Sequence, residues 1–165
     1  MKNQAFTLIE ILVAVLIIGI LAAVAVPKYQ EVVEKSIMQE AIINVRKIAN
    51  ANDAFYLQNG RYANGFEMDK LDISIPGTLP YIDGNGHHKM AIRTTYFEYK
   101  PDGGGGTPND PHPAGYKAMA QRVPEAKRYF LYIQQGDNKL KCWVYSNATR
   151  AQAKLCDKIK KDGHL

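Results

Sequence analysis

Cysteine is scarce in this chain: two in 165 residues, Cys142 and Cys156, fourteen positions apart near its end. Neither stands in a Cys-x-x-Cys pair or at a Cys/His spacing that would hold a metal, which removes the zinc-built folds from consideration. The Gly-x-Ser-x-Gly elbow, the phosphate-binding P-loop and the His-Glu-x-x-His helix are missing too, so an enzyme has no motif to rest on and no cofactor is implied. Long hydrophobic runs are absent except for one. From Phe6 to Val26 only Glu10 is ionisable, and Ile11 to Val26 is an unbroken stretch of 16 apolar or Gly residues. A mean hydropathy of -0.29 excludes a polytopic membrane protein. At 46% hydrophobic and 22% charged, a wholly disordered chain is excluded as well. The 139 residues from Pro27 onward suffice for one buried core and are too few for two ordinary domains.

Charge of one sign is also local. Residues 1–27 hold one basic and one acidic side chain, 28–58 four of each, and 59–115 five basic against seven acidic. Residues 116–165 hold eleven against four, so the final third supplies +7 where the whole chain is +5. Such a patch attracts nucleic acid or an anionic surface polymer; the plainer reading is a solvated charged face, and the sequence leaves both standing. The cysteines stay open in the same way. Beyond a membrane the compartment is oxidising and a Cys142–Cys156 disulfide is the default, whereas two reduced, buried thiols are the alternative.

As a helix, residues 6–26 reach about 31 Å at 1.5 Å per residue, enough to cross a bilayer core. Ala23, Val24 and Ala25 would equally suit the end of a cleaved signal peptide. Glu10 speaks against that, because an acidic group at the start of the run reverses the expected order. A carboxylate deep in a bilayer costs about 2.5 to 3.5 kcal/mol and needs a partner. Periodicity speaks against it too. Past Pro27, the residues Tyr29, Val33, Ile37, Ala41, Asn44, Ile48, Ala51 and Phe55 recur at steps of three or four, one stripe of an amphipathic helix. Lys28, Glu31, Lys35, Gln39, Arg46, Lys47 and Asp53 occupy its other face, and Asn59 with Gly60 gives the stop. The expected element is a single long helix, apolar all round in its first half, half-buried in its second, and kinked at Pro27.

Beyond Tyr62 turn residues cluster, and Lys89 to Lys100, Tyr116 to Val123, Arg128 to Gln134 and Lys139 to Ser146 read as four strands. Gln135 to Asn138 makes a hairpin turn between the last two, and Pro101 to Gly115, with four Pro and five Gly, is a loop. An antiparallel four-stranded sheet packed on the helical stripe gives an α+β fold. Asn147 to Lys161 suggests a short helix with Ala151, Leu155 and Ile159 on one side. His87 and His88 are adjacent and read as solvated; Asp102 and Asp110 lack a calcium-loop pattern, so no metal site is expected. Asn147, Ala148 and Thr149 match a glycosylation acceptor, a frequent accident in a single sequence.

Ala5, Phe6, Thr7, Leu8, Ile9 and Glu10, then the run from Ile11 to Val26 and Pro27, resemble the N-terminal signature of type IV pilins and of the pseudopilins of type II secretion. The segment FYLQNGRYA, Phe55 to Ala63, is similar to the helix end and following loop of that family. The resemblance implies three parts. Residues 1–5 are a leader cut between Ala5 and Phe6 by a prepilin peptidase, residues 6–26 a transmembrane and assembly helix, and residues 27–165 a soluble pilin-like domain. The family usually has Gly where this chain has Ala5, a residue of similarly small size. Phe6 would become an N-methylated amino terminus, and Glu10 would pair in assembly with the Phe6 amine of a neighbouring subunit. The helix between Gly19 and Pro27 would loosen on packing, in keeping with costs of about 1 kcal/mol for Gly and 3 for Pro inside a helix.

The function so implied is a structural subunit held in the bacterial inner membrane. An inner-membrane assembly platform and its ATPase would then polymerise it into an extracellular filament serving adhesion, motility or DNA uptake. A periplasmic pseudopilus is the alternative within the family. An alternative of another class is a signal-anchored binding domain that never polymerises, in which Phe6 and Glu10 would share no purpose.

Overall fold

Thr7 opens the long helix and Gly60 closes it. The structure, a computed structural model, describes residues 7–77, 81–82, 88–89, 91–101, 115–123 and 129–164. Helix α1 runs over Leu8–Asn59, 52 residues, with Pro27 inside it. Its start is a reciprocal cap: Thr7 Oγ1 accepts the Glu10 N–H at 3.3 Å, and the Glu10 carboxylate accepts the Thr7 N–H at 2.8 Å. Its end is Gly60 at φ +70°, whose N–H donates to the Tyr56 carbonyl at 2.8 Å, a backbone conformation that other residues adopt only with strain. At Pro27 the helix continues. Pro27 has no N–H to donate one turn back, so a single rung is missing from a rod held by the turns on either side.

The buried face of α1 is rotated from the predicted stripe. Met38, Ala41, Asn44, Val45, Ile48, Ala49 and Asn52 are buried, Ile37, Ala51 and Phe55 partly so, and Tyr29 and Val33 are exposed. Repeated steps of four advance 40° beyond a full turn each time, so a stripe followed mostly by fours winds off the core. Every residue from Thr7 to Gln30 is exposed, and cover begins at Glu31.

The strands are β1 (Tyr81–Ile82), β2 (His88–Lys89), β3 (Ile92–Arg93), β4 (Phe97–Lys100), β5 (Tyr116–Arg122), β6 (Tyr129–Gln134) and β7 (Lys141–Val144). The first two form a separate antiparallel ribbon, and the others form one antiparallel sheet in the order β3-β4-β5-β6-β7. The sheet therefore has five strands and not four. Where one strand was expected over 89–100, Thr94 turns the chain, its hydroxyl accepting the N–H groups of Tyr96 and Phe97 at 3.4 and 3.2 Å. The turn between β6 and β7 is the predicted one, with Gly136 at φ +72°.

Helix α1 lies across β4, β5 and β6. Phe97, Tyr99, Ala118, Ala120, Tyr129, Leu131 and Ile133 face it, while Tyr116, Met119, Phe130 and Tyr132 form a second buried layer. Helix α2 (Arg150–Asp162) begins at another reciprocal cap, between Thr149 and Gln152, and buries Gln152, Leu155, Cys156 and Ile159. Cys142 in β7 and Cys156 in α2 are bonded, with Cα atoms 5.4 Å apart, and closing a loop of that size contributes about 3 kcal/mol in the chain-entropy picture.

The connection after α1 gathers on Glu67, which is buried. Its carboxylate takes two bonds from Arg61 at 2.6 and 2.8 Å, one from the Lys70 ammonium at 2.8 Å and one from the Asn64 N–H at 3.2 Å. The Arg61 guanidinium first, then Lys70, holds its carboxyl well below the usual range for glutamate. A carboxyl depressed on folding stabilises fully above its unfolded value of about 4.3 and loses that contribution as pH falls towards the folded value. Glu67→Gln is expected to lower Tm at pH 7, and the gap from the parent chain should narrow steadily on acidification below about pH 4. A gap of equal size at both ends of the range would show that the charge on Glu67 plays no part.

Candidate functional site

A protein with a buried core has no structural need for a helix that leaves it. In this chain Leu8 to Val26 is such a helix: its window hydropathy averages 3.0, and none of that window is buried within the chain. The large side chains from Leu8 to Val26 are all about half exposed or more, which marks a surface awaiting lipid or other helices.

Within it Glu10 is the only ionisable group between Thr7 and Val26. Its Oε2 accepts both Thr7 bonds, from the backbone N–H at 2.8 Å and from Oγ1 at 2.7 Å. Among the described residues no donor reaches Oε1. Among the described residues the carboxylate is thus satisfied locally at one oxygen, by Thr7. Thr7 is the residue that sequence reasoning missed as a partner, although Thr-x-x-Glu before an apolar run is a legible capping pattern.

Gly19 lies in α1, and a methyl group added there would meet nothing within 4 Å, so no contact inside the chain accounts for a glycine at that point. Pro27 lies eleven residues before Met38, the first buried side chain of the helix. Ala5 and Phe6 fall outside the described residues, as do His87, Asp102 and Asp110. For His88 only the β2 pairing with Ile82 is described. Among the described residues no group of three His, Cys, Asp or Glu side chains is placed to hold a metal. Of the glycosylation triplet, Thr149 has its hydroxyl engaged as the cap of α2.

Three ties clamp the head to α1, and none was anticipated. Asn52 is wholly buried; its Oδ1 accepts the Ala63 N–H at 2.7 Å and its Nδ2 donates to the Lys117 carbonyl at 2.9 Å. The buried Lys117 ammonium reaches Asp53 at 2.6 Å. Glu34 takes the Tyr129 hydroxyl at 2.8 Å and the Arg122 guanidinium at 3.2 Å, and burial, helped by Glu34, pushes the Tyr129 phenol far above its ordinary value.

The family model described as the prokaryotic N-terminal methylation motif matches residues 1–26. The chain is similar to the type IV major pilin protein PilA of Myxococcus xanthus (strain DK1622), 38% identical over 63 residues that make up 38% of this chain and 29% of that protein. It is similar to the type II secretion system core protein G of Escherichia coli (strain K12), 39% identical over 84 residues, 51% of this chain and 57% of the relative. It is also similar to the type IV major pilin protein PilE1 of Neisseria gonorrhoeae, 39% identical over 60 residues, 36% of each. The matches thus span between 29% and 57% of these relatives' lengths. No solved structure matches the chain.

Proposed function

We propose that this chain, which is similar over its N-terminal part to type IV pilins and type II secretion pseudopilins, belongs to that family and is the structural subunit of a type IV pilus. It is stored in the inner membrane through residues 6–26 and polymerised through the same residues. The observation that carries this reading is the exposed apolar half of α1 with a single carboxylate at its start. In a bilayer the apolar side chains are solvated by lipid. In a filament they are covered by the same segments of other subunits, and Glu10 meets the Phe6 amine of a neighbour. Residues 1–5 are then a leader, since the amine exists only after the cut before Phe6. Gly19 and Pro27 are places where the helix gives way cheaply when subunits pack.

A pseudopilin is the second reading, favoured by the length of the match to core protein G. The pilin is preferred for the Cys142–Cys156 staple, which closes a C-terminal loop suited to a surface outside the cell. Intact-mass analysis of filaments sheared from producing cells tests the proposal. A chain beginning at methylated Phe6 is expected in that fraction. A chain starting after Ala25 would end the filament reading, and a mature chain found only in the periplasm would transfer it to the pseudopilus.

A further inference from the structure

Where α1 enters the head, cations outnumber their acidic partners. Lys154 of α2 donates to Glu31 of α1 at 2.8 Å, and Lys154, Lys28 and Lys35 together hold the Glu31 carboxyl below its ordinary value. Arg150, Lys154 and Lys158 recur every four residues on the exposed side of α2, opposite the buried Leu155 and Ile159. These groups line a cleft of about 720 Å³ between the two helices together with Lys35 and Lys161, five cations against the three carboxylates of Glu31, Asp157 and Asp162. Among the described residues Lys28, Lys35, Arg150 and Lys158 make no ion pair.

Position gives this surplus a counterpart. Nineteen residues from Leu8 to Val26 span about 28 Å and fill a hydrocarbon core of about 30 Å. Lys28 then stands just outside the core. Glu31, with its partner Lys154, lies about 7 Å beyond Val26 along the helix, within or at the edge of the headgroup layer. Lys35 is about 6 Å beyond that, inside the screening length of about 8 Å at physiological salt. Basic groups at such distances are attracted by the negative potential of an acidic bilayer surface.

We infer that Lys28, Lys35, Arg150, Lys154 and Lys158 form a collar that binds the phosphates of anionic phospholipid headgroups and holds the head against the membrane before assembly. The inference rests on the membrane-stored state proposed above. In that state the first turn of α2, where Arg150 shares a pocket with Pro27 and Tyr29, is nearest the headgroups, and leaving the membrane requires these contacts to break.

The test uses the full chain reconstituted in vesicles of phosphatidylcholine alone and in vesicles with about a third phosphatidylglycerol. Flotation reports insertion, and amide hydrogen exchange over residues 150–162 reports docking. Equal flotation is expected from both, with exchange in α2 slowed about threefold or more only on the acidic vesicles. The slowing should vanish in about 1 M salt, where the screening length is about 3 Å. It should vanish also in the Lys28→Gln, Arg150→Gln, Lys158→Gln variant, whose changes are all at exposed positions. Equal exchange on the two vesicles with normal flotation would overturn the collar and leave membrane storage intact. Failure to float with either would overturn membrane storage, and the collar with it.

Discussion

Glu10→Gln is expected to abolish or sharply reduce filaments while leaving the head folded and the helix inserted. The substitution is clean because glutamine in the third helical position reaches back to the cap as glutamate does, so the bonds with Thr7 can persist. What disappears is the charge. On the proposed pairing, the neighbour's Phe6 amine is then left alone in an apolar filament core, and breaking a desolvated pair costs about 3 to 5 kcal/mol. That is a factor of about a hundred to several thousand per contact, and it recurs with every subunit added. Thr7→Ala is the counterpart: it removes a cap of about 1 kcal/mol and keeps the charge, so assembly should survive. Yield of sheared filaments from cells with matched subunit levels decides the matter. Undiminished filaments from the Gln variant would make Glu10 a bystander and leave apolar packing to set the register.

Asn52→Ala is expected to cost the head about 3 to 5 kcal/mol, a large part of the 5 to 15 typical of a domain. Asn52 is fully buried, and its removal orphans the Ala63 N–H and the Lys117 carbonyl together, at about 1 to 3 kcal/mol each, with a small void besides. Asn52→Asp keeps an acceptor for Ala63 and loses the donor to Lys117, so it should fall between alanine and the parent chain unless the new charge is itself buried at greater cost. Urea unfolding of the full chain in detergent, followed by near-ultraviolet circular dichroism of the aromatic core, measures both. A change under about 1 kcal/mol for alanine would mean that water replaces the amide at both backbone groups.

Local chemistry was legible and distant pairing was not. The ends of α1 are written in neighbouring residues, Thr7 with Glu10 and Asn59 with Gly60, and the turn before β7 in Gly136 and its flanks. The break between β3 and β4 is made by the Thr94 hydroxyl, in a stretch from Lys89 to Lys100 that holds no Gly, Pro, Asn or Asp to announce it. Asn52 reads as a polar side chain on a helix, and its burial is fixed by Lys117, 65 positions on. Glu31 and Lys154 are 123 positions apart, so the basic excess of the last third showed as a count, with no indication that α2 lays part of it beside α1. The apolar N-terminal half of α1 was the most legible part because it is written in a contiguous run of side chains, independent of the fold that follows.

The head is fastened along the flank of α1 and not at its tip, and this decides how the molecule answers to tension. At 1.5 Å per residue α1 is a rod about 78 Å long. Its fastenings, Glu31 to Lys154, Glu34 to Arg122 and Tyr129, and Asn52 and Asp53 to Lys117, are spread over 22 residues, about 33 Å of its length. A pull along the rod strains all of them in shear at once, whereas a sideways pull would open them one after another like a zipper. In a polymer whose rods lie near its axis, traction passes from rod to rod, and the heads ride beside the line of force without having to transmit it.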